Sequence, residues 1–427
     1  MKIKPIPERH RWFDPWLIPV GVRLHGLAAT YAALVERREL ATNKRLRKRR
    51  GQAEADRETA LGVIIANLAY ETLSPSPSGR LAVLTGNNGR RIPRYSGPAK
   101  GKVLRDLLFE LAELDVLDWQ GPRAQRGEAS SIRPTGSLRS ELTSRGVTQL
   151  DIGQDEREEV ILLTSRQMSG GSAAPVSRVL VDYPDTPPTM EMRDRLRGLN
   201  SFLAAADITF EHDGEEPVDP ANRRMRRHFV TPDSSTRFDL SGRLYGGFWQ
   251  NLARKRRGAI RIEGEAPVVL DYASMFTRLA YARAGLQPPE GDLYAIPGLV
   301  VPRDAVKVLV NAMFFDQHTR TTWPKDAETP QPDRVTVPEL RRAVLALHPA
   351  IKDSFGRGVG LSLMHTESEV MAAVLDELRS RRIVALGLHD GLLVRSSQAE
   401  EAKKVMEQAV ADICSISIPV HQKAVGE

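Results

Sequence analysis

Residues 266–285, APVVLDYASMFTRLAYARAG, and residues 381–396, RRIVALGLHDGLLVRS, are the two stretches on which the fold of this chain turns. In the first, Val268, Val269 and Leu270 are bounded by Pro267 and followed by Asp271, the pattern of a buried strand that delivers one carboxylate at its end. Residues 274–284 then read as a helix, so Asp271 taken alone also has an ordinary reading as the cap of that helix. In the second, apolar runs at 383–388 and 392–394 flank His389-Asp390-Gly391. Asp-Gly supports the positive dihedrals of a tight turn, so this stretch predicts a hairpin and by itself nothing more. If the two strands lie side by side, Asp271 and Asp390 meet as hard oxygen ligands. Phosphoryl transfer through two magnesium ions asks for such a pair, and the backbone carbonyl of Tyr272 offers a further ligand.

Between them lies PRDAVKVLVNAMFFD, residues 302–316. Pro302 suits the first turn of a helix, and Arg303, Lys307, Asn311 and Phe315 recur every four residues along one face. Such a face either is the mixed surface of a solvated helix or holds a triphosphate with its two cations and stacks an aromatic on a base.

The order of these segments resembles that of family A DNA polymerases. Asp271-Tyr272 followed by Arg278 is similar to the first palm motif of that family, Arg303, Lys307 and Phe315 to its fingers-helix motif, and His389-Asp390 to its final palm motif. Upstream, Gly242-Arg243-Leu244 and Gln250-Asn251-Leu252 resemble the family's duplex-contacting element, with a gap two residues shorter. The resemblance spans residues 237–394 and describes a divergent, compact member related to the single-subunit phage-type polymerases. It implies an α/β (α+β) fold, a right-hand palm with an antiparallel sheet and helical fingers, beside a mainly helical N-terminal region. The activity implied is that of a DNA-directed DNA polymerase extending a primer with deoxynucleoside triphosphates, through two Mg2+ ions or Mn2+ in their place. Asp271, Tyr272 and Asp390 would hold the metals. Arg303 and Lys307 would hold the triphosphate, with Asn311, Phe315 and Phe276 also on the nucleotide. Arg243, Gln250, Asn251, Arg278 and His389 would meet the primer-template.

Three departures bear on selectivity. Gly391 follows His-Asp where the family often has Glu or Ser, Asn311 stands where an aromatic is common, and Asp316 replaces the Gly after the closing aromatic. Phe276, five residues after Asp271, takes a position that carries Glu in DNA-synthesising relatives and Gly in phage-type RNA polymerases. A bulky apolar group there leaves a ribose 2′-hydroxyl crowded and unpaired, so deoxynucleotides are expected, unless Phe276 simply packs into the palm helix. The alternatives are an RNA polymerase or primase on the same scaffold, or an inactive DNA-binding replication protein.

The rest of the chain is less explicit. Its 427 residues predict more than one domain, and 41% apolar with 27% charged residues is the composition of a folded protein. One cysteine, Cys414, excludes an internal disulfide and a Cys-based four-ligand zinc site. The net charge of +7 suits a polyanionic partner. Lys44, Arg45, Arg47, Lys48, Arg49 and Arg50 form one basic tract, either a solvated helix face or a phosphate-contacting segment. A second stripe from Arg223 to Arg261 includes Arg254, Lys255, Arg256 and Arg257, a candidate groove for a nucleic-acid backbone. Leucines at 104, 107, 108, 111, 114 and 117 predict a helix over 102–117, in either a helical or a winged-helix-like module. Asp213 and Glu215 have the spacing of a proofreading exonuclease's first carboxylates but sit among Gly and Pro, as in a surface loop, and no nuclease is read in the first 240 residues. The expected domains are therefore a mainly helical basic accessory region at 1–170, a linker and thumb-like segment at 171–240, and palm with fingers at 241–427. With no apolar run long enough to span a bilayer and no apolar core in MKIKPIPERH, a cytoplasmic location without membrane contact is expected.

Overall fold

The apolar strand expected before Asp271 is the centre of a sheet. In a computed structural model of the protein, Pro267–Tyr272 lies between Gly391–Arg395 and Val420–Lys423, with Ala385–Gly387 outermost, and every pairing is antiparallel. The structure describes residues 11–42, 51–86, 92–122, 128–167, 177–233, 235–325 and 327–426; the basic tract from Lys44 to Arg50 lies outside them. Leu270, Leu386, Leu392, Leu393 and Val394 are fully buried, because two helices, Gly360–Ser380 and Ala399–Cys414, pack near this sheet. Burial of such side chains is worth about 1.5–3 kcal/mol each, so the strand ends carrying Asp271 and Asp390 stand on a rigid base.

The chain divides into two compact units, Met1–Glu159 with Glu216–Asp219, and Val160–Glu215 with Pro220–Glu427. The second holds the site sheet and a further sheet in the order Ser241–Gly246, Met225–Thr231, Ile161–Gln167, Ser177–Leu180. It also contains the helices Pro187–Ala205, Met275–Arg283, Arg303–Phe315 and Val337–Leu347. Residues 171–240, read from sequence as linker and thumb-like segment, thus contribute a 19-residue helix and the Met225–Thr231 strand.

The first unit combines helices with sheet. Beside the helices Val22–Ala41, Gly51–Leu73, Gly101–Glu113 and Gly136–Ser144 it has a four-stranded sheet in the order Arg11–Trp12, Leu81–Val83, Ser130–Pro134, Leu117–Gln120. The helix expected over 102–117 stops at Glu113. Asp115 adopts a left-handed φ of 56°, and the Val116 amide reaches back to the Leu111 carbonyl at 2.9 Å, which closes the helix and turns Leu117 into a strand. Asp tolerates that conformation at modest cost. Among the described residues no helix is long and apolar enough to cross a membrane.

Candidate active site

Strand register brings the two aspartates together. Asp271 is paired with Gly391, and the amide of Tyr272 donates to the carbonyl of Asp390 at 3.0 Å, so the carboxylates emerge at the same end of neighbouring strands. The turn differs from the expected Asp-Gly type, because neither Asp390 nor Gly391 has a positive φ. Glycine is required at 391 for another reason. A Cβ there would collide with the carbonyl oxygen of Leu270 and stand 3.2 Å from Asp271 Oδ1. A side chain at this position would push the two strands apart.

The carboxylate pair is electrostatically demanding. Burial raises the Asp271 carboxyl above its usual range and the charge of Asp390 adds to the rise, while the Lys423 ammonium, 2.6 Å from Oδ2, and Lys307 oppose it. His389 is held neutral: burial, then Arg243 and Arg257, push it down to about 4. Its Nδ1 is buried without a hydrogen-bond partner, and its ring stands edge-on to Tyr245 at 5.3 Å.

These groups open onto a cavity of about 640 Å3 lined by Asp271, Asp390 and Lys423 together with Arg303, Lys307 and Asn311, with Arg254 and Arg257 contributing more positive charge. The helix Arg303–Phe315 supplies its wall because Ala305, Val306, Leu309, Val310, Met313 and Phe314 are buried on the opposite face. Arg303 is occupied by an ion pair with Asp292 at 2.7 Å and lies over the Tyr294 ring. One turn beyond Lys307, the buried Oδ1 of Asn311 has no hydrogen-bond partner. At the helix end Phe315, 40% exposed, meets Phe276 with ring centroids 5.8 Å apart. Asp316 binds Arg320 through two 2.7 Å contacts and keeps an ordinary negative φ, so no glycine is needed there.

Other sequence candidates are engaged elsewhere. Arg243 lies 5.5 Å over the Phe276 ring and is gripped by both oxygens of Glu367, at 2.6 and 3.1 Å. Arg278 is turned inward and donates to the carbonyls of Ala273, Pro289 and Gly291, bracing the start of its own helix and the following loop. Lys255 pairs with Glu215 and Arg256 with Asp213, which accounts for those two acids as partners of the basic stripe. Gln250 lines the cavity but spends its amide on the carbonyls of Leu244 and Gly387, and Asn251 is exposed at the end of the short helix Phe248–Asn251. The Tyr272 hydroxyl is directed away, to the carbonyl of Met406.

Three neighbours of these side chains were not singled out in the sequence. Glu367, in the middle of an amphipathic helix, and Asp292, in a loop, become visible only through their arginines. Lys423 belongs to an alternating segment near the C-terminus, and the strand spacing of PVHQK was the available cue.

The donor set suits a hard divalent cation. Two carboxylates share a partly buried corner in which one already draws an ammonium to 2.6 Å. Among the described residues no group of three or more His, Cys, Asp or Glu is assembled for a metal. Magnesium is commonly held by one or two carboxylates, with water and substrate phosphates completing its shell.

No family model matches the chain, and no curated protein matches it. A solved structure to which it is similar is the POL domain of Pol1 from M. smegmatis in complex with DNA primer-template and dNTP. The identity is 12% and the TM-score 0.31, over 55% of this chain and 50% of that one, so the match spans half the length of that domain. With so loose a superposition, the reading of the site rests on this chain's own side chains.

Proposed function

We propose that this chain is a template-directed nucleotidyltransferase, a DNA-directed DNA polymerase that extends a primer with deoxynucleoside triphosphates. The observation that carries this reading is the convergence of Asp271 and Asp390, from adjacent strands, on a basic cavity of about 640 Å3 faced by Arg303 and Lys307. A volume in that range accommodates a ligand of nucleotide size.

In this reaction the primer 3′-hydroxyl oxygen gives up its proton to solvent and bonds to the α-phosphorus, the bond to the bridging oxygen breaks, and pyrophosphate leaves. Asp271 and Asp390 would hold divalent ions, which when bound would make the primer hydroxyl easier to deprotonate and offset charge on the phosphates. Lys307 meets the triphosphate as a point charge, and Arg303 joins it by exchanging Asp292 for a phosphate oxygen. Asn311 presents its unpartnered oxygen to a donor of the bound nucleotide. Phe276 and Phe315 form an aromatic wall beside the sugar, without a partner for a 2′-hydroxyl. His389, neutral at pH 7, is suited to hydrogen-bond the primer end. In the same reading residues 1–170 are a basic accessory region, residues 171–240 assist in holding duplex, and the protein works in the cytoplasm.

The test is primer extension on a DNA template with magnesium. Asp271→Ala and Asp390→Ala each lower the rate on the order of 10³-fold or more, since each removes half of the metal-binding pair. Wild-type extension by either variant, with its fold intact by circular dichroism, overturns the assignment.

A further inference from the structure

Lys423 stands on the strand Val420–Lys423, opposite Val269, while His421 is opposite Asp271. Lys423 and Asp271 are therefore diagonal neighbours on one face of an antiparallel pair, a separation that a long side chain bridges. The bridge is made: Nζ is 2.6 Å from Oδ2. At that distance the ammonium occupies the space in which a divalent ion would coordinate the same oxygen, and two cations cannot share it.

We propose that Lys423 is a resident counter-ion of the carboxylate pair, which competes with the divalent metal for Asp271 and must swing away before the metal is seated. This rests on the reading of Asp271 and Asp390 as metal ligands. Asp271 and Asp390 stand at the ends of paired strands on one cavity, and Lys423 supplies them a cation from the same chain. The lysine is also free to leave. Its side chain is 44% exposed against 25% for Asp271, and a partly exposed ammonium is readily rehydrated. Lys423 lines the same cavity as Arg303 and Lys307, so once displaced its charge remains available to an anion there. The consequence is a raised threshold for metal binding in the absence of nucleotide, because a metal arriving alone must break the ion pair, whereas one arriving with a triphosphate offers the ammonium a new partner.

The experiment is a titration of the full-length protein with Mn2+ and no nucleotide, followed by electron paramagnetic resonance and calorimetry. Lys423→Met keeps the aliphatic stem and removes the charge, and it is expected to tighten Mn2+ binding roughly five- to tenfold. Lys423→Arg, which retains a cation, stays near the wild type. Asp271→Asn serves as the reference for binding at the site. Equal or weaker affinity in Lys423→Met, with binding still abolished by Asp271→Asn, overturns the competition and leaves the polymerase reading standing. Binding in no variant that depends on Asp271 removes the metal site itself, and both readings fall together. Matching thermal melts of the lysine variants exclude a folding defect as the cause.

Discussion

In the proposed reaction, nucleotide selection would fall to Phe276. Its ring lies 5.8 Å from that of Phe315, with the Arg243 guanidinium 5.5 Å from its centroid, so it links its own helix to the end of the helix that carries Lys307. Replacing it by Ala opens room for a 2′-hydroxyl. The expected outcome is a 10- to 100-fold loss of discrimination against ribonucleotides, about 1–3 kcal/mol, read from the ratio of kcat/KM for the two nucleotide classes. An unchanged ratio would mean that the ring does not face the sugar. The place of Phe276 relative to Asp271 was legible because both sit on one short strand-helix connection. Its partner Phe315 was legible only as a position on another helix, because the distance between two helices is not written in either.

At the scale of elements, the helix Gly360–Ser380 shows how a local pattern conceals a role. Its apolar spacing accounts for Leu363, Val370, Met371, Val374, Leu375 and Leu378, but Glu367 is just as buried. Burial pushes its carboxyl up to about 7, with Asp390 and Asp271 adding to the rise and Arg243 opposing it. The folded protein thus holds a proton that the unfolded chain has released. The stabilisation from this group is fully present below about pH 4.5, the ordinary value for Glu, and is lost as pH rises through about 7. Glu367→Gln mimics the protonated form and cannot titrate. Relative to the wild type it is expected to gain on the order of 2–3 kcal/mol between pH 4 and pH 8, measured by urea unfolding at each pH. Parallel stability curves for the two proteins would contradict this. The sequence could not have announced the residue, since an acid within a helix is ordinarily solvated and only the tertiary approach of Arg243 identifies it as buried.

For the molecule as a whole, the net charge of +7 matters less than its placement. Lys255 and Arg256 are paired with Glu215 and Asp213, while Arg254, Arg257, Arg303, Lys307 and Lys423 gather around one cavity, Arg303 on Asp292 and Lys423 on Asp271. Primer-template binding should accordingly be strongly salt-dependent. If about four of those cations contact phosphate, affinity falls on the order of 100-fold between 50 and 200 mM salt. Fluorescence anisotropy at a series of salt concentrations measures the slope, and a flat response would remove the polyanion from the reading.

Taken by itself, the sequence determined what depends on short-range pattern. An apolar run before Asp271, a second around His389-Asp390, and a helix with Arg303 and Lys307 four residues apart on one face follow from periodicities that neighbouring residues enforce. Their order along the chain was enough to suggest the site. Tertiary structure decided the rest, because it sets which distant groups neutralise one another. Arg278 faces inward, Arg243 is held by Glu367, Arg303 rests on Asp292, and Gly391 is small because Leu270 passes so close. The place of Lys423 on Asp271 is likewise a matter of strand register, 152 residues apart in the chain. Charge pairing acts across space, and periodicity acts along the chain, which is why the strands that carry Asp271 and Asp390 were legible and the ion pairs around them were not.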